Sequence, residues 1–249
     1  MKLELLGTGD AAGMPLYGCH CKYCIMAKAN IYFRRKPASA LLTVNKKRYL
    51  IDAGLMNLAD NFPQGSLDGI FLTHFHPDHV QGLFHLRWGI ANKIPVFCPP
   101  DKNGCADLFK HPGMLDFQVQ RKYQEFKLGG LKVTPLPLIH SKPTFGYVFN
   151  YNNQKVAYLV DSKKLPSMTE HYLRKHKMDR LIIDTSYAPG ILNKNHNNLD
   201  DTLLLHKKLG ASKTIMTHIG HDLDVWLKDN SDTLPENLIA GYDGVCVLS

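Results

Sequence analysis

Short β-rich runs alternate with helical ones along the chain. Lys2 to Leu6 reads as a strand that ends at Gly7-Thr8-Gly9. Ser39 to Val44 and Arg48 to Asp52 read as a hairpin across Asn45-Lys46-Lys47. Gly69 to Thr73 is a short apolar strand running into a cluster of histidines, and Val80 to Trp88 reads as helix. Further hairpins turn at Gly129-Gly130 and at Asn152-Asn153. Leu181 to Asp184 and Thr214 to Thr217 are apolar runs of the buried-strand kind, and Leu199 to Leu209 carries apolar residues at helical spacing. Strands on both sides of each helix predict an α/β fold with two sheets and helices packed outside, as one domain over residues 1–249. No repeat, low-complexity tract or linker interrupts the pattern.

Composition narrows the class. The 249 residues are 44% hydrophobic and 21% charged, which excludes a disordered or fibrous chain. No stretch approaches the ~18 apolar residues of a membrane span. The opening MKLELLGTGD lacks a signal peptide's ~7–15-residue apolar core, so a soluble, cytoplasmic protein is expected. The net charge of +8 comes from basic clusters dispersed along the chain, a solvated surface or a field that attracts an anionic substrate. Gly7-Thr8-Gly9 lacks the G-x4-G-K-[ST] of a phosphate loop and reads as a tight turn.

The histidines carry the chemistry. In Thr73-His74-Phe75-His76-Pro77-Asp78-His79 three histidines and an aspartate fall within six residues, where a strand gives way to a helix. Imidazole and carboxylate suit zinc, manganese, iron and nickel. Side chains two apart on an extended segment point the same way, which pairs His74 with His76. The turn into the helix swings Asp78 and His79 to a second point nearby. His140, Asp161 and His218 each follow an apolar strand, raising the total to seven ligands, enough for two ions that share a carboxylate. Of the six cysteines, Cys19, Cys21 and Cys24 lie within six positions; in a reducing compartment such a cluster binds metal rather than forming disulfides. Closed tetrahedral zinc needs a fourth ligand, for which His20, Cys98, Cys105 and His221 are candidates; His20 points the wrong way if its neighbours face the metal. His196 sits in a polar loop before a helix, a position suited to a general acid. Lys142 and Arg87 are cations near ligand segments and candidates for holding a phosphate. His20, His111, His171, His176 and His206 read as surface or packing residues.

The H-x-H-x-D-H motif, with separate His, Asp and His at strand ends, resembles the metallo-β-lactamase superfamily. GTGDAAGMPLYGCHCKYC, QGLFHLRWG, GCADLFKHPGMLDF, HSKPTFGY and THIGHDLDVW extend the likeness over essentially the whole chain. In order and spacing they resemble the PhnP family of phosphoribosyl 1,2-cyclic phosphate phosphodiesterases, of the carbon–phosphorus lyase pathway of phosphonate catabolism. Two features depart from that pattern: His85 within the LFxLRWG run and the segment Asn197-Asn198-Leu199-Asp200.

The resemblance implies an αββα sandwich, two mixed β-sheets flanked by helices. It implies His74, His76 and His140 on one metal, Asp78, His79 and His218 on the other, and Asp161 bridging. Asp78 would serve catalysis as well as metal binding. It further implies His221 as fourth zinc ligand beside Cys19, Cys21 and Cys24, His196 as proton donor, and Asp184 as the carboxylate that orients a catalytic group. Two Mn(II) ions in the active site, one structural Zn(II) and a homodimer belong to the same expectation, although ligand chemistry alone does not choose manganese over zinc or iron. The implied reaction is hydrolysis of 5-phospho-α-D-ribosyl 1,2-cyclic phosphate to ribose 1,5-bisphosphate, the partner being this small anionic sugar phosphate. A tRNA 3′-processing type of nuclease, a general cyclic nucleotide phosphodiesterase and a non-catalytic zinc-stabilised nucleic-acid-binding protein are the alternatives. Nucleic acid is not the expected partner, because no extra segment is evident to clamp RNA; a binding protein would leave seven metal ligands unused.

Overall fold

The structure is a computed structural model and describes residues 1–248, the side chain of Ser231 excepted. The first half of the chain forms β1 (Lys2–Gly7), β2 (Ser39–Val44), β3 (Lys47–Ile51), β4 (Gly69–Phe71), β5 (Ile94–Cys98) and β6 (Leu115–Val119). The second forms β7 (Phe126–Leu128), β8 (Leu131–Pro137), β9 (Phe145–Tyr151), β10 (Gln154–Leu159), β11 (Arg180–Asp184), β12 (Lys213–Thr217) and β13 (Leu238–Ala240), after which β14 (Cys246–Leu248) returns to pair with β1. They make two seven-stranded sheets, ordered β14-β1-β2-β3-β4-β5-β6 and β13-β12-β11-β10-β9-β8-β7. Each sheet is mixed. The first is antiparallel from β14 to β3 and parallel from β3 to β6, and the second is antiparallel from β7 to β10 and parallel from β10 to β13.

Side-chain alternation builds the layers. Tyr49 and Ile51 face the other sheet, while Leu50 between them faces the helices outside. In β10, Val156 and Tyr158 face inward, and Ala157 and Leu159 meet the outer helices. A period of two forces this split and leaves the helices on the outer faces. Phe71 lies at the centre, with the rings of Tyr49, Phe97, Tyr147 and Phe149 at 5.7, 5.0, 5.3 and 5.1 Å. Two bonds lock the sheets together where the histidine motif begins: the Tyr147 hydroxyl donates to the Leu72 carbonyl at 2.7 Å, and the Phe145 amide to the Thr73 carbonyl at 2.9 Å. No described helix is long and apolar enough to cross a membrane.

The structure corrects two boundaries. The first hairpin turns on two residues rather than three, since Asn45 and Lys46 both have positive φ (48° and 66°) and Lys47 already pairs. That geometry matches the right-handed strand twist, and Asn152-Asn153 repeats it (49° and 65°). The helix expected over Val80 to Trp88 is two short turns, Pro77–Val80 and Leu83–Leu86. Between them the Gly82 amide leaves the helical ladder to donate to the Ala53 carbonyl at 2.9 Å.

Candidate metal centre

The strand ends of both sheets meet along one edge, and the site is assembled there. Asp52 follows β3, the His74–His79 motif follows β4, His140 follows β8, Asp161 follows β10, Asp184 ends β11 and His218 follows β12. The loop after β3 holds the motif's turn in place: the Ala53 amide donates to the His79 carbonyl at 2.8 Å. Gly54 lies so close to that turn that a Cβ would sit 1.8 Å from the Asp78 carbonyl oxygen.

The seven donors converge in two groups, each with its ligand atoms within 4.8 Å of one another, and Asp161, Asp184, His196 and His218 form an overlapping cluster beside them. In the first, His76 Nδ1 lies 2.8 Å from His74 Nε2 and 3.0 Å from His140 Nε2. Asp161 Oδ2 lies 3.4 and 3.5 Å from the same two Nε2 atoms. In the second, His79 Nε2 and His218 Nε2 lie 3.3 and 3.6 Å from Asp78 Oδ2. Asp161 Oδ1 faces them at 3.5 and 3.2 Å. Asp161 alone presents one oxygen to each group. His79 Nε2, His218 Nε2 and Asp161 Oδ1 are buried with no hydrogen-bond partner in the protein. An unpaired buried polar group costs ~1–3 kcal/mol, so three that converge fit a cation.

Protonation follows the same division. Burial pushes His74, His76 and His140 below the ordinary imidazole range, leaving neutral rings with lone pairs to give. Burial also opposes charge on His79 and His218, but Asp161 and the other carboxylates overcome it. His79 lies well above the usual range, and His218 rises to about 9. Burial likewise opposes the Asp161 carboxylate, yet the imidazoles of His218, His79 and His74 hold it well below its usual range. Raised pKa values at His79 and His218 mean that a cation would compete with protons for that group.

The far nitrogen of four of the five ligand rings is held within 3.3 Å, and that of His76 meets Ser141 Oγ at 3.5 Å. Thr73 Oγ1 meets His74 Nδ1 at 3.0 Å, Asp52 Oδ2 meets His79 Nδ1 at 2.9 Å, Ser186 Oγ meets His218 Nδ1 at 2.9 Å and the Asn195 carbonyl meets His140 Nδ1 at 3.3 Å. Such partners fix tautomer and orientation. Sequence reasoning passed over Asp52, Thr73, Ser186 and Asn195. Asp52 was findable, since it follows an apolar strand as Asp161 and His218 do. Asp52→Asn is expected to weaken cation binding at the His79 group by roughly 10–100-fold in a metal titration; an unchanged affinity would remove its supporting role.

His196 lies beside both groups. Its ring stacks on His218 at 4.9 Å and 8° and packs edge-on to His140 at 5.0 Å. Its Nδ1 donates to Asp184 Oδ2 at 2.8 Å. Burial opposes the charged ring, but Asp184 outweighs it and raises the pKa. Asp184 also accepts from the Ser162 amide and the Ser186 hydroxyl at 2.8 and 2.7 Å, so its oxygens orient neighbours. The unusual segment after His196 is structural: buried Asn197 donates to the Asp184 carbonyl and accepts from the Lys164 amide, and Asn198 caps the next helix with Asp201. His85 faces solvent.

Arg87 and Lys142 both turn away from the donor groups. Arg87 is buried against Asp107, bonded to its carboxylate at 2.6 Å and to backbone carbonyls, and it anchors the loop before β6. Lys142 turns towards Asp101 Oδ2 and the Gly104 carbonyl, both at 3.5 Å. Neither contacts the donor groups, because both reach for oxygens on the 101–111 loop.

The third group joins Cys19, Cys21 and Cys24 to His221. Both Cys19 Sγ and Cys21 Sγ lie 3.5 Å from His221 Nε2. Asp222 Oδ1 takes His221 Nδ1 at 2.8 Å, which turns Nε2 to the sulfurs. The Cys24 amide and His221 lower Cys21 to about 6, whereas burial raises Cys24 to about 11. Of the other candidates, Cys98 is in the core, Cys105 points to the Phe75 carbonyl and His20 is exposed.

The Beta-lactamase superfamily domain matches residues 47–219, which carry all seven His and Asp donors. The chain belongs to the β-lactamase superfamily. A solved structure described as a new diphosphatase from the PhnP family is similar at 26% identity and a TM-score of 0.84, over 100% of this chain and 97% of that one. Human tRNase Z, short form, shares the fold at 16% identity and a TM-score of 0.71, over 100% and 99%. An octanoyltransferase of Porphyromonas gingivalis is 26% identical over 98% of this chain and 51% of its own. The chain therefore spans about half the length of that relative. In this superfamily's fold the paired His and Asp donors fit divalent metal ions.

Proposed function

We propose that the chain is a phosphodiesterase for a small cyclic sugar phosphate, 5-phospho-α-D-ribosyl 1,2-cyclic phosphate, with ribose 1,5-bisphosphate as product. The observation that carries the reading is the Asp184-held His196 ring, set against two groups of ligands that share Asp161. His74, His76, His140 and Asp161 would hold one divalent ion, and Asp78, His79, His218 and Asp161 another. Manganese is the expected metal there, with zinc on Cys19, Cys21, Cys24 and His221. Divalent ions so held supply Lewis acidity and a water of lowered pKa.

The chain's own residues do the rest. Asp161 and the surrounding imidazoles would fix where the divalent ions, and through them the phosphate, lie. Asp184 takes His196 Nδ1, leaving Nε2 to deliver a proton. Water adds to phosphorus, the bond from phosphorus to ribose O2 breaks, and His196 protonates O2 as it leaves. The phosphate stays on O1. The likeness of the sequence motifs to the PhnP family suggests this substrate, and the reading keeps the homodimer that the same likeness implies. Against RNA as substrate, every described strand belongs to one of the two sheets, so no separate hairpin arm extends to clamp it. Acyl transfer is not proposed, since only half of the octanoyltransferase is spanned.

A second reading takes the name of the PhnP-family diphosphatase literally and makes the substrate a phosphoanhydride. One panel separates the two: the ribosyl cyclic phosphate, a dinucleoside diphosphate, 2′,3′-cyclic AMP and a 3′-extended tRNA. Turnover of the ribosyl cyclic phosphate well above the others is expected. Preference for the dinucleoside diphosphate would install the second reading, and efficient tRNA trimming would overturn both.

A further inference from the structure

Resting on the reading of the His/Asp groups as metal positions, we infer that the Cys19–Cys21–Cys24–His221 centre positions His218, so that its integrity sets cation affinity at the Asp78–His79–His218 group. The basis is the four-residue stretch His218-Ile219-Gly220-His221. His218 leaves β12 in a left-handed conformation, φ 57°. A non-glycine residue holds that conformation only where its surroundings over-determine it. Upstream, β12 is locked between β11 and β13. Downstream, the chain is held at three successive residues.

The Ile219 amide donates to the Thr8 carbonyl at 2.8 Å, and the Asp10 amide returns a bond to the Ile219 carbonyl at 3.3 Å. The Gly220 amide donates to the Ser186 carbonyl at 3.1 Å, and Ser186 Oγ is the group that meets His218 Nδ1. A Cβ on Gly220 would stand 2.6 Å from that carbonyl, so the approach requires glycine. The His221 side chain then meets Cys19 and Cys21. Those cysteines lie on the loop leading from Gly9 and Asp10, which are part of the first clamp. The cysteine centre therefore closes a ring: β1's end, the cysteine loop, His221, Gly220 and Ile219. His218 is fastened to that ring by one peptide bond. Opening it at His221 leaves the turn with its backbone bonds to Thr8, Asp10, Ser186 and Asp224 but removes the side-chain anchor that closes the ring.

The His74–His76–His140 group lies on the loops that follow β4 and β8, outside the ring. A purely stabilising zinc would affect neither group in the folded protein. A positioning one affects the His218 group selectively.

The test is isothermal titration of Mn(II), a hard ion that thiolates bind poorly. Protein stripped of active-site metal but retaining its zinc is compared with three variants, below their melting temperatures. Wild type is expected to show two Mn(II) sites. His221→Ala should weaken one of them by roughly 10–100-fold, the usual effect of losing a group that orients a ligand, and leave the other near wild type. His221→Cys restores a fourth zinc ligand and should recover most of the loss. Gly220→Ala keeps all four zinc ligands and tests the tie without depending on the stability of a zinc-free chain; it should weaken the same site. Wild-type affinity at both sites in folded His221→Ala would overturn the coupling, whatever Gly220→Ala shows, since that variant also presses on Ser186. Wild type that binds no Mn(II) would overturn the metal reading beneath it.

Discussion

Asp161→Asn is expected to lose tight binding of at least one active-site cation, and activity with it, while the fold and the cysteine centre stay intact. Asp161 presents Oδ2 to His74 and His140 and Oδ1 to His79 and His218, so replacing one oxygen by an amide removes a donor from one group. Asparagine suits the test because Asp161 has φ 59°, a left-handed conformation that Asn tolerates and Ala does not. The loss should exceed the ~10–100-fold typical of an orienting partner, since Asp161 faces the cations directly. Metal content per chain, thermal melting and turnover are measured together. Two active-site metals retained with full turnover would remove Asp161 as the bridge.

His196→Ala is expected to slow the ribosyl cyclic phosphate by ~10²–10⁴-fold, the usual contribution of a general acid. Bis-p-nitrophenyl phosphate should lose far less, because p-nitrophenolate departs without a proton and a ribose alkoxide does not. Asp184→Asn should follow the same pattern to a smaller extent: an amide still meets His196 Nδ1 but no longer stabilises the charged ring. His196 also stacks on His218, so removing it could disturb metal binding instead. Equal losses on both substrates, with metal affinity reduced, would assign it that supporting role.

Arg87 and Lys142 show what sequence position leaves open. Proximity in sequence to a ligand segment says which loop a cation is on, not which way it turns. Arg87 is drawn under Asp107 and stacks over Phe84 and Trp88, at 5.2 and 4.7 Å from their ring centres. Asn197 shows the converse. A short polar run reads as an ordinary loop, but its buried amide joins the ends of β10 and β11 and so fixes the residue before it, His196.

The seven His and Asp donors were legible in the chain because metal chemistry restricts ligands to few residue types, and because strand ends are visible where an apolar run stops. Two sheets with helices outside were legible because strand-like runs flank each helical one, and the αββα sandwich followed from the family resemblance. Tertiary structure decided what depends on direction across the chain. It paired each oxygen of Asp161 with a different group, chose His221 over Cys98, Cys105 and His20, and matched Asp52, Ser186 and Asn195 to the far nitrogens of His79, His218 and His140. The partners in those three contacts lie 27, 32 and 55 residues apart, and a preference of one side chain for another across such distances leaves no period in the sequence. It arises only when two sheets bring their strand ends to one edge.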